Sequence, residues 1–311
     1  GKLMGLVGYG KFDPIIYNAY ELLLEEAATN GKFYKRYDIL KGKKEDIACT
    51  LQQFTLDKIK EYIFPLKTCE NICLSGGVTY NGYMNEYFTT HYNNVFVPPA
   101  VGDEGQALGT YMHADYMLNQ TIHVPSVYAG KEYDLEDNEI DYYTIAKAIA
   151  DGKIIGWFQG RSESGNRALG NRSILADPRN PNIKDIINHR IKKREDWRPF
   201  APSVLEEHYQ DYFDTRLTSP YMSRIVKVKS DDIPGVTHVD GTSRIQTVTQ
   251  SQNEKYYKLI SAFYDITGIP LLLNTSFNCQ EPIVETPEDA IKTFNNTELD
   301  LVVIGSKILC K

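Results

Sequence analysis

Ile154-Ile155-Gly156-Trp157-Phe158-Gln159 runs directly into Gly160-Arg161-Ser162-Glu163-Ser164-Gly165-Asn166-Arg167-Ala168-Leu169-Gly170-Asn171-Arg172-Ser173, and the fold is read outward from this stretch. Its apolar opening, Ile154 to Phe158, has the length and bounding residues of a buried strand. Behind it three arginines stand among three glycines. Glycine lets the backbone take positive φ and brings N–H groups close to a ligand, while each guanidinium is a planar fork for phosphate or carboxylate oxygens. A phosphate cradle is what these residues can build. The plainer rival is a solvated charged loop, and both the glycine spacing and the preceding strand weigh against it. Basic residues continue through Arg190, Lys192, Lys193, Arg194 and Arg198, interrupted by Glu195 and Asp196.

Around this stretch, helices and short strands alternate. Upstream, Asp13-Pro14 supplies an N-cap and a proline at the first helical position for a helix over 15–30, with Gly31 as its stop. The pattern gives a second helix over 44–64, a strand over 71–74, a Ser75-Gly76-Gly77 turn, and a helix over 81–92. A strand over 95–97 and a helix over 102–118 follow. The aperiodic stretch 119–138, with Pro125 and Gly130, reads as a linker, dividing the chain into regions 1–125 and 126–311. Downstream, 139–150 is helical, 160–202 is loop-rich, and 253–267 is a helix. A strand over 270–273, a helix over 287–295 and a strand over 299–304 complete the pattern. The alternation suggests α/β or α+β layering in both regions, and α/β is the fold class expected.

Composition bounds the rest. At 311 residues the chain suits two domains of about 150 residues. With 42% hydrophobic and 24% charged residues it is expected to fold as a globular protein, and a net charge of −7 disfavours nucleic acid and anionic membranes as partners, so any anion site must be local. No apolar run nears the roughly 20 residues of a membrane span. Five cysteines without C-x-x-C spacing indicate neither a disulfide framework nor a zinc site, and a cytoplasmic location is the expectation. The chain opens without Met or a leader, in Gly1-Lys2-Leu3-Met4-Gly5, which suggests that the start of a larger protein lies upstream.

Other polar clusters are weaker signals. Pro270-Leu271-Leu272-Leu273-Asn274-Thr275-Ser276-Phe277-Asn278 ends a strand in small polar side chains, placing Asn274, Ser276 and Asn278 where α/β sheets bind ligands. A polar turn with a helix cap is the alternative. Val239-Asp240-Gly241-Thr242-Ser243-Arg244 says little alone. Gly76 and Gly77 resemble a phosphate-binding turn, and Asp103 in Gly102-Asp103-Glu104-Gly105 suits either a metal or the cap of the next helix. The six histidines include no metal-binding pair, and no G-x-S-x-G elbow, Walker loop or H-E-x-x-H occurs.

Taken in order, Lys2 to Gly10, Leu74 to Val78, Gly102 to Gly105, the Arg/Gly loop, Arg198-Pro199-Phe200-Ala201-Pro202-Ser203, Asp240-Gly241-Thr242 and Asn274 to Asn278 resemble the O-carbamoyltransferases over nearly the whole chain. The resemblance implies a truncated actin-like ATPase region for 1–125 and a YrdC-like α/β domain with a twisted mixed sheet for 126–311. It implies that the second domain converts carbamoyl phosphate and ATP to carbamoyl adenylate and pyrophosphate. The first region would then pass the carbamoyl group to a small-molecule hydroxyl near a divalent metal, Fe, Mg or Mn. By position, Arg161, Glu163, Arg167, Arg172 and Arg198 would be catalytic. Ser173, Asn274, Ser276 and Asn278 would bind substrate, Gly76 and Gly77 nucleotide, and Asp103 the metal. A homodimer is compatible with this. The family's metal-binding histidine pair has no counterpart in this sequence, and Ser164 and Asn166 stand where the family usually has Phe and Pro. The rivals are a phosphotransferase of the actin-like superfamily and a non-catalytic nucleotide- or RNA-binding protein.

Overall fold

The computed structural model describes residues 2–30, 40–121, 126–135 and 138–311. Gly31, parts of the expected linker (122–125 and 136–137) and the near side of the 125/126 boundary lie outside the described residues.

Helix α1 (Lys2–Leu6) runs on through a 3-10 turn at Val7–Tyr9. Asp13 then caps α2 (Pro14–Asn30): its Oδ1 accepts the N–H groups of Ile15 at 2.8 Å and Ile16 at 3.3 Å, which no intrahelical carbonyl can reach. Helix α3 (Lys44–Lys58) continues through a π-turn at Ile59–Ile63 and a 3-10 turn at Phe64–Leu66, so the single helix expected over 44–64 is one helical rod with a changing pitch. Strand β1 (Asn71–Cys73) pairs in parallel with β2 (Asn94–Phe96), Ile72 opposite Val95. The crossover between them carries α4 (Gly82–Phe88), capped by Asn81, and ends four residues earlier than the pattern over 81–92 predicts. A 3-10 turn at Asp103–Gly105 leads into α5 (Gln106–Asn119). Ile59, Phe64, Leu74, Met84, Phe88, Tyr92, Val95, Val97 and Val101 form one apolar core of this region, and Ile16, Tyr20 and Phe54 a second between α2 and α3.

After α6 (Tyr142–Ala150), capped by Asp141, the larger region is a nine-stranded mixed sheet in the order β11-β10-β3-β4-β9-β5-β8-β7-β6. Its strands are β3 (Ile155–Phe158), β4 (Arg172–Ala176), β5 (Ala201–Leu205), β6 (Phe213–Asp214), β7 (Arg224–Val228), β8 (Thr242–Val248), β9 (Leu271–Ser276), β10 (Leu301–Ile304) and β11 (Lys307–Cys310). Between them lie α7 (Ile183–Ile186), α8 (Tyr209–Tyr212), α9 (Glu254–Thr267) and α10 (Pro287–Asn296). β3 is parallel to β10, and β5 to β8; the other pairings are antiparallel. Every residue of β3, β4, β5 and β10 is buried, as apolar or polar runs covered on both faces must be. β4, inside the stretch expected to be loop, is the principal difference from the sequence reading. It opens with Arg172 and Ser173, so it carries neither an apolar run nor clean alternation at its start.

The two regions meet along α4 and β7. Asn85 donates through Nδ2 to Ser223 O at 2.7 Å, and Glu86 stands 3.8 Å from Arg224. Arg216 reaches back to the carbonyls of Thr89, Tyr92 and Asn93 just beyond α4, where a cation meets the negative end of a helix.

Candidate functional site

A cavity of about 240 Å³ opens where these regions meet. Its floor comes from the carboxyl end of β9 (Asn274, Thr275, Ser276) and from Arg244 on β8; one wall is the 194–201 segment, another the Asn166–Ala168 part of the Arg/Gly loop. Its roof is α1 and the following turn, with Met4, Gly5, Gly8 and Tyr9 facing in. Gly5 permits that close approach, since a Cβ there would stand 2.8 Å from the Trp197 ring.

Four guanidinium-bearing residues line the cavity: Arg167, Arg194, Arg198 and Arg244. The carboxylate among the lining residues is Asp240. Burial, reinforced by Arg167, Arg194 and Arg198, pulls the Arg244 guanidinium well below its ordinary range, and its Nε is buried without a hydrogen-bond partner. Burial, with Arg198 beside it and Glu195 opposing, brings Arg194 down to about 10. Cations gathered this closely repel one another, and an oxyanion in the cavity relieves both the repulsion and the unmet donor.

A second depression adjoins the first and shares Arg194, Arg198 and Ser276 with it. Lys192, buried and pulled far down in pKa mainly by that burial, donates to the Ser276 hydroxyl at 3.1 Å, the Asn278 carbonyl at 3.0 Å and Asn278 Oδ1 at 2.7 Å, and also to the Ser276 carbonyl. The amine thus holds the β9 turn in one shape, with the Ser276 hydroxyl donating to Asn278 Oδ1 at 2.7 Å.

The residues singled out from sequence divide into distinct places. Arg167, Arg198, Asn274 and Ser276 line the cavity, and Asn278 lies in the adjoining depression. Asn274 hangs from Ala168 O, Ser203 Oγ and Gln246 Oε1 through its Nδ2, leaving Oδ1 buried without a partner. Arg161, Glu163, Arg172 and Ser173 do not line it. Arg161 is half-exposed and pairs with Glu132 at 3.1 Å and Gly130 O at 3.1 Å. Half-buried Glu163 accepts the backbone N–H groups of Leu169, Asn171 and Arg172 at 2.6, 2.8 and 3.3 Å, which oppose the upward push that desolvation gives its pKa. Arg172 is fully buried, donates to the carbonyls of Gln159, Gly160 and Asn171, and lies 3.6 Å from the Phe158 ring centroid. Ser173 accepts Gly170 N–H at 3.1 Å. Gly170 itself has φ +107°, and a Cβ on it would stand 2.1 Å from Tyr256. These residues build the loop that presents Arg167. Ser164 is tied to the strap 126–135 by its N–H to Val127 O at 2.6 Å, and Asn166 lines the cavity.

Gly76, Gly77 and Asp103 sit together on the other region, the Gly76 N–H donating to Val101 O at 2.8 Å, and all three are exposed. Arg167 bridges towards them, 5.8 Å from the ring of Tyr80 in the turn that follows Gly76 and Gly77. Asp103 accepts Gln106 Nε2 at 3.2 Å, and among the described residues no group of three His, Cys, Asp or Glu side chains could hold a metal. The ligand set among the described residues therefore does not fit a metal by itself.

Lys192, Arg194, Arg244, His238 and Asp240 were not assigned to the site from the sequence. The basic run 190–198 was a signal for the first two, and the polar segment 239–244 a weak one for Asp240 and Arg244; His238 had none. Burial is the main cause that brings His238 down to about 4, with Asp240 opposing and Arg244 adding to it. Its folded pKa lies below the unfolded value of about 6.5, so the unfolded chain takes the proton first as pH falls. Its contribution to stability is whole above about pH 6.5 and is lost towards pH 4. His238→Gln should flatten the fall in melting temperature over that window; an unaltered slope would contradict the assignment.

Residues 146–311 match the family described as Carbamoyltransferase C-terminus, and residues 1–112 match Carbamoyltransferase N-terminus. The chain belongs to the carbamoyltransferase family. The cavity is thus built where the two family regions meet, Met4, Gly5, Gly8, Tyr9 and Tyr83 coming from the N-terminal one. Relatives include Nodulation protein NolNO of Sinorhizobium fredii, 37% identical over all of this chain and 52% of its own length. Nodulation protein NolO of Bradyrhizobium diazoefficiens is 36% identical over all of this chain and 65% of its own. The 3'-hydroxymethylcephem-O-carbamoyltransferase of Amycolatopsis lactamdurans is 35% identical over 75% of this chain and 47% of its own. The chain spans roughly half to two thirds of the length of the curated relatives that it matches. No helix among the described residues is long and apolar enough to cross a membrane.

Proposed function

We propose that this chain carries the activating half of an O-carbamoyltransferase: its arginine-lined cavity makes carbamoyl adenylate from carbamoyl phosphate and ATP, for transfer to the hydroxyl of a small molecule. The observation that carries the reading is Arg244, a half-buried cation whose Nε is buried without a hydrogen-bond partner, facing a cavity where Arg167, Arg194 and Arg198 add positive charge. Carbamoyl phosphate and ATP are polyanions that repel one another, and fixed cations are what bring such a pair into contact.

The atoms balance in two steps. Water takes the phosphoryl group of carbamoyl phosphate, releasing inorganic phosphate and leaving carbamate. A carbamate oxygen then forms a bond to the α-phosphorus of ATP as the bond to the pyrophosphate oxygen breaks, and pyrophosphate leaves. Arg167, Arg194, Arg198 and Arg244 would neutralise the charge that accumulates on these oxygens, and the turn held by Lys192 would place Ser276 and Asn278 as further contacts. The 126–311 region would then be YrdC-like and the 1–125 region part of an actin-like fold, with Gly76 and Gly77 contacting nucleotide. Asp103 would offer one carboxylate to a divalent metal completed by groups beyond the described residues, and no step above runs through that metal. A duplex RNA ligand is less well supported, because the cationic groups face a cavity of about 240 Å³.

Labelled pyrophosphate should exchange into ATP only when carbamoyl phosphate is present, since adenylate formation is reversible and uses no acceptor. Absence of that exchange in folded chain, or exchange independent of carbamoyl phosphate, would overturn the proposal.

A further inference from the structure

The cavity holds one polar contact that crosses between the regions and that docking alone does not require. Tyr83 projects from α4 into the cavity wall, and its hydroxyl donates to Asp240 Oδ2 at 2.6 Å. Asp240 Oδ1 is already engaged, accepting the N–H of Thr242 at 3.1 Å and its hydroxyl at 2.6 Å. Thr242 in turn lies 3.1 Å from His238 Nδ1 and 3.5 Å from the Tyr83 oxygen. The His238 N–H bonds back to Thr242 O at 2.7 Å, which closes the turn. Thr242 opens β8, and Arg244 lies two residues on, on the same face of the strand.

We infer that Tyr83 is a positioning residue of the anion cavity, acting through Asp240 on the 238–242 turn and so on where β8 places Arg244. The inference rests on the anion-cavity reading above. Three features separate it from simple docking. First, α4 is secured elsewhere, by Asn85 on Ser223 and by Arg216 beyond its end, so the Tyr83 oxygen is free to serve the cavity. Second, Asp240 is the carboxylate lining a cavity otherwise rich in arginine; left unpinned, it can swing towards those cations and compete with an incoming oxyanion. Third, burial and then the Asp240 bond raise the Tyr83 pKa, so the phenol stays a donor throughout the working range. Beside the roof that α1 gives the cavity, the N-terminal region thus reaches the 238–242 turn through the Tyr83 hydroxyl, 157 positions away in sequence from its acceptor.

The test is a double-mutant cycle with Tyr83→Phe and Asp240→Asn, read by calorimetric binding of inorganic pyrophosphate and by the KM and kcat of carbamoyl-phosphate-dependent exchange. Tyr83→Phe should weaken pyrophosphate binding and raise the carbamoyl phosphate KM by about fivefold, the scale of one net hydrogen bond, with kcat changed less than twofold and the melting temperature held. In the Asp240→Asn background the same change should cost clearly less, because the amide keeps an acceptor oxygen but not the charge. An equal loss in both backgrounds, or wild-type affinity in Tyr83→Phe, would overturn the positioning role while leaving the anion cavity intact. A wild-type chain that binds no pyrophosphate would overturn the cavity reading and this inference together.

Discussion

Arg244→Met is expected to reduce carbamoyl-phosphate-dependent pyrophosphate exchange by about a hundredfold or more, while the melting temperature stays constant or rises. The two directions share one cause. The Arg244 charge is opposed by desolvation and by Arg167, Arg194 and Arg198. Removing it takes away repulsion in the empty protein, and Met fills much of the same volume along the apolar stem. A bound oxyanion, by contrast, loses a charged donor worth about 1.5 to 3 kcal/mol in the ground state, and more where charge develops in the transition state. A gain in stability with loss of activity marks a residue kept for function. Arg161→Ala serves as the contrast: its guanidinium is half-exposed on Glu132 and outside the cavity, so exchange should stay within twofold. Exchange by Arg244→Met within threefold of wild type would remove Arg244 from the site.

Glu163→Ala should produce the opposite pattern, a loss of roughly 3 to 5 kcal/mol of stability. Its carboxylate accepts three backbone N–H groups of the turn 169–172, and without it those donors are left buried and unmatched. Glu163→Gln keeps an acceptor oxygen and should lose about half as much. Denaturant unfolding gives the magnitude, and amide exchange at Leu169, Asn171 and Arg172 gives the location: protection there should fall before protection in β9. A Glu163→Ala protein of wild-type stability with lost exchange activity would instead give Glu163 a chemical role. Because Arg167 sits in the loop that Glu163 organises, some loss of activity is expected alongside the loss of stability.

Much of the scaffold was legible along the chain because its causes are local. The runs at 154–158, 270–273 and 299–304 are too apolar to sit anywhere but the interior, and the structure places β3, β9 and β10 on them. Asp13 before Pro14 announced its helix by offering an oxygen to donors that every helix start leaves open. Arginine and glycine content alone indicated that 160–173 is an unusual loop.

What the chain order left open was direction. Arg161, Arg167 and Arg172 occupy one loop and read alike, yet one faces the strap, one the cavity and one the carbonyls just past the end of β3. That division depends on which partners the closed fold brings near, and those partners come from Glu132, Tyr80 and Gln159. β4 escaped notice for the same reason: Arg172 and Ser173 are polar by composition and are buried because β3 and β9 flank them. Tyr83, Asp240 and Arg244 form a site wall across two regions, and no periodicity connects them. Burial, charge repulsion and hydrogen-bond satisfaction are properties of the assembled neighbourhood, so the tertiary structure alone selected the cations that meet in one cavity from the many present in the sequence.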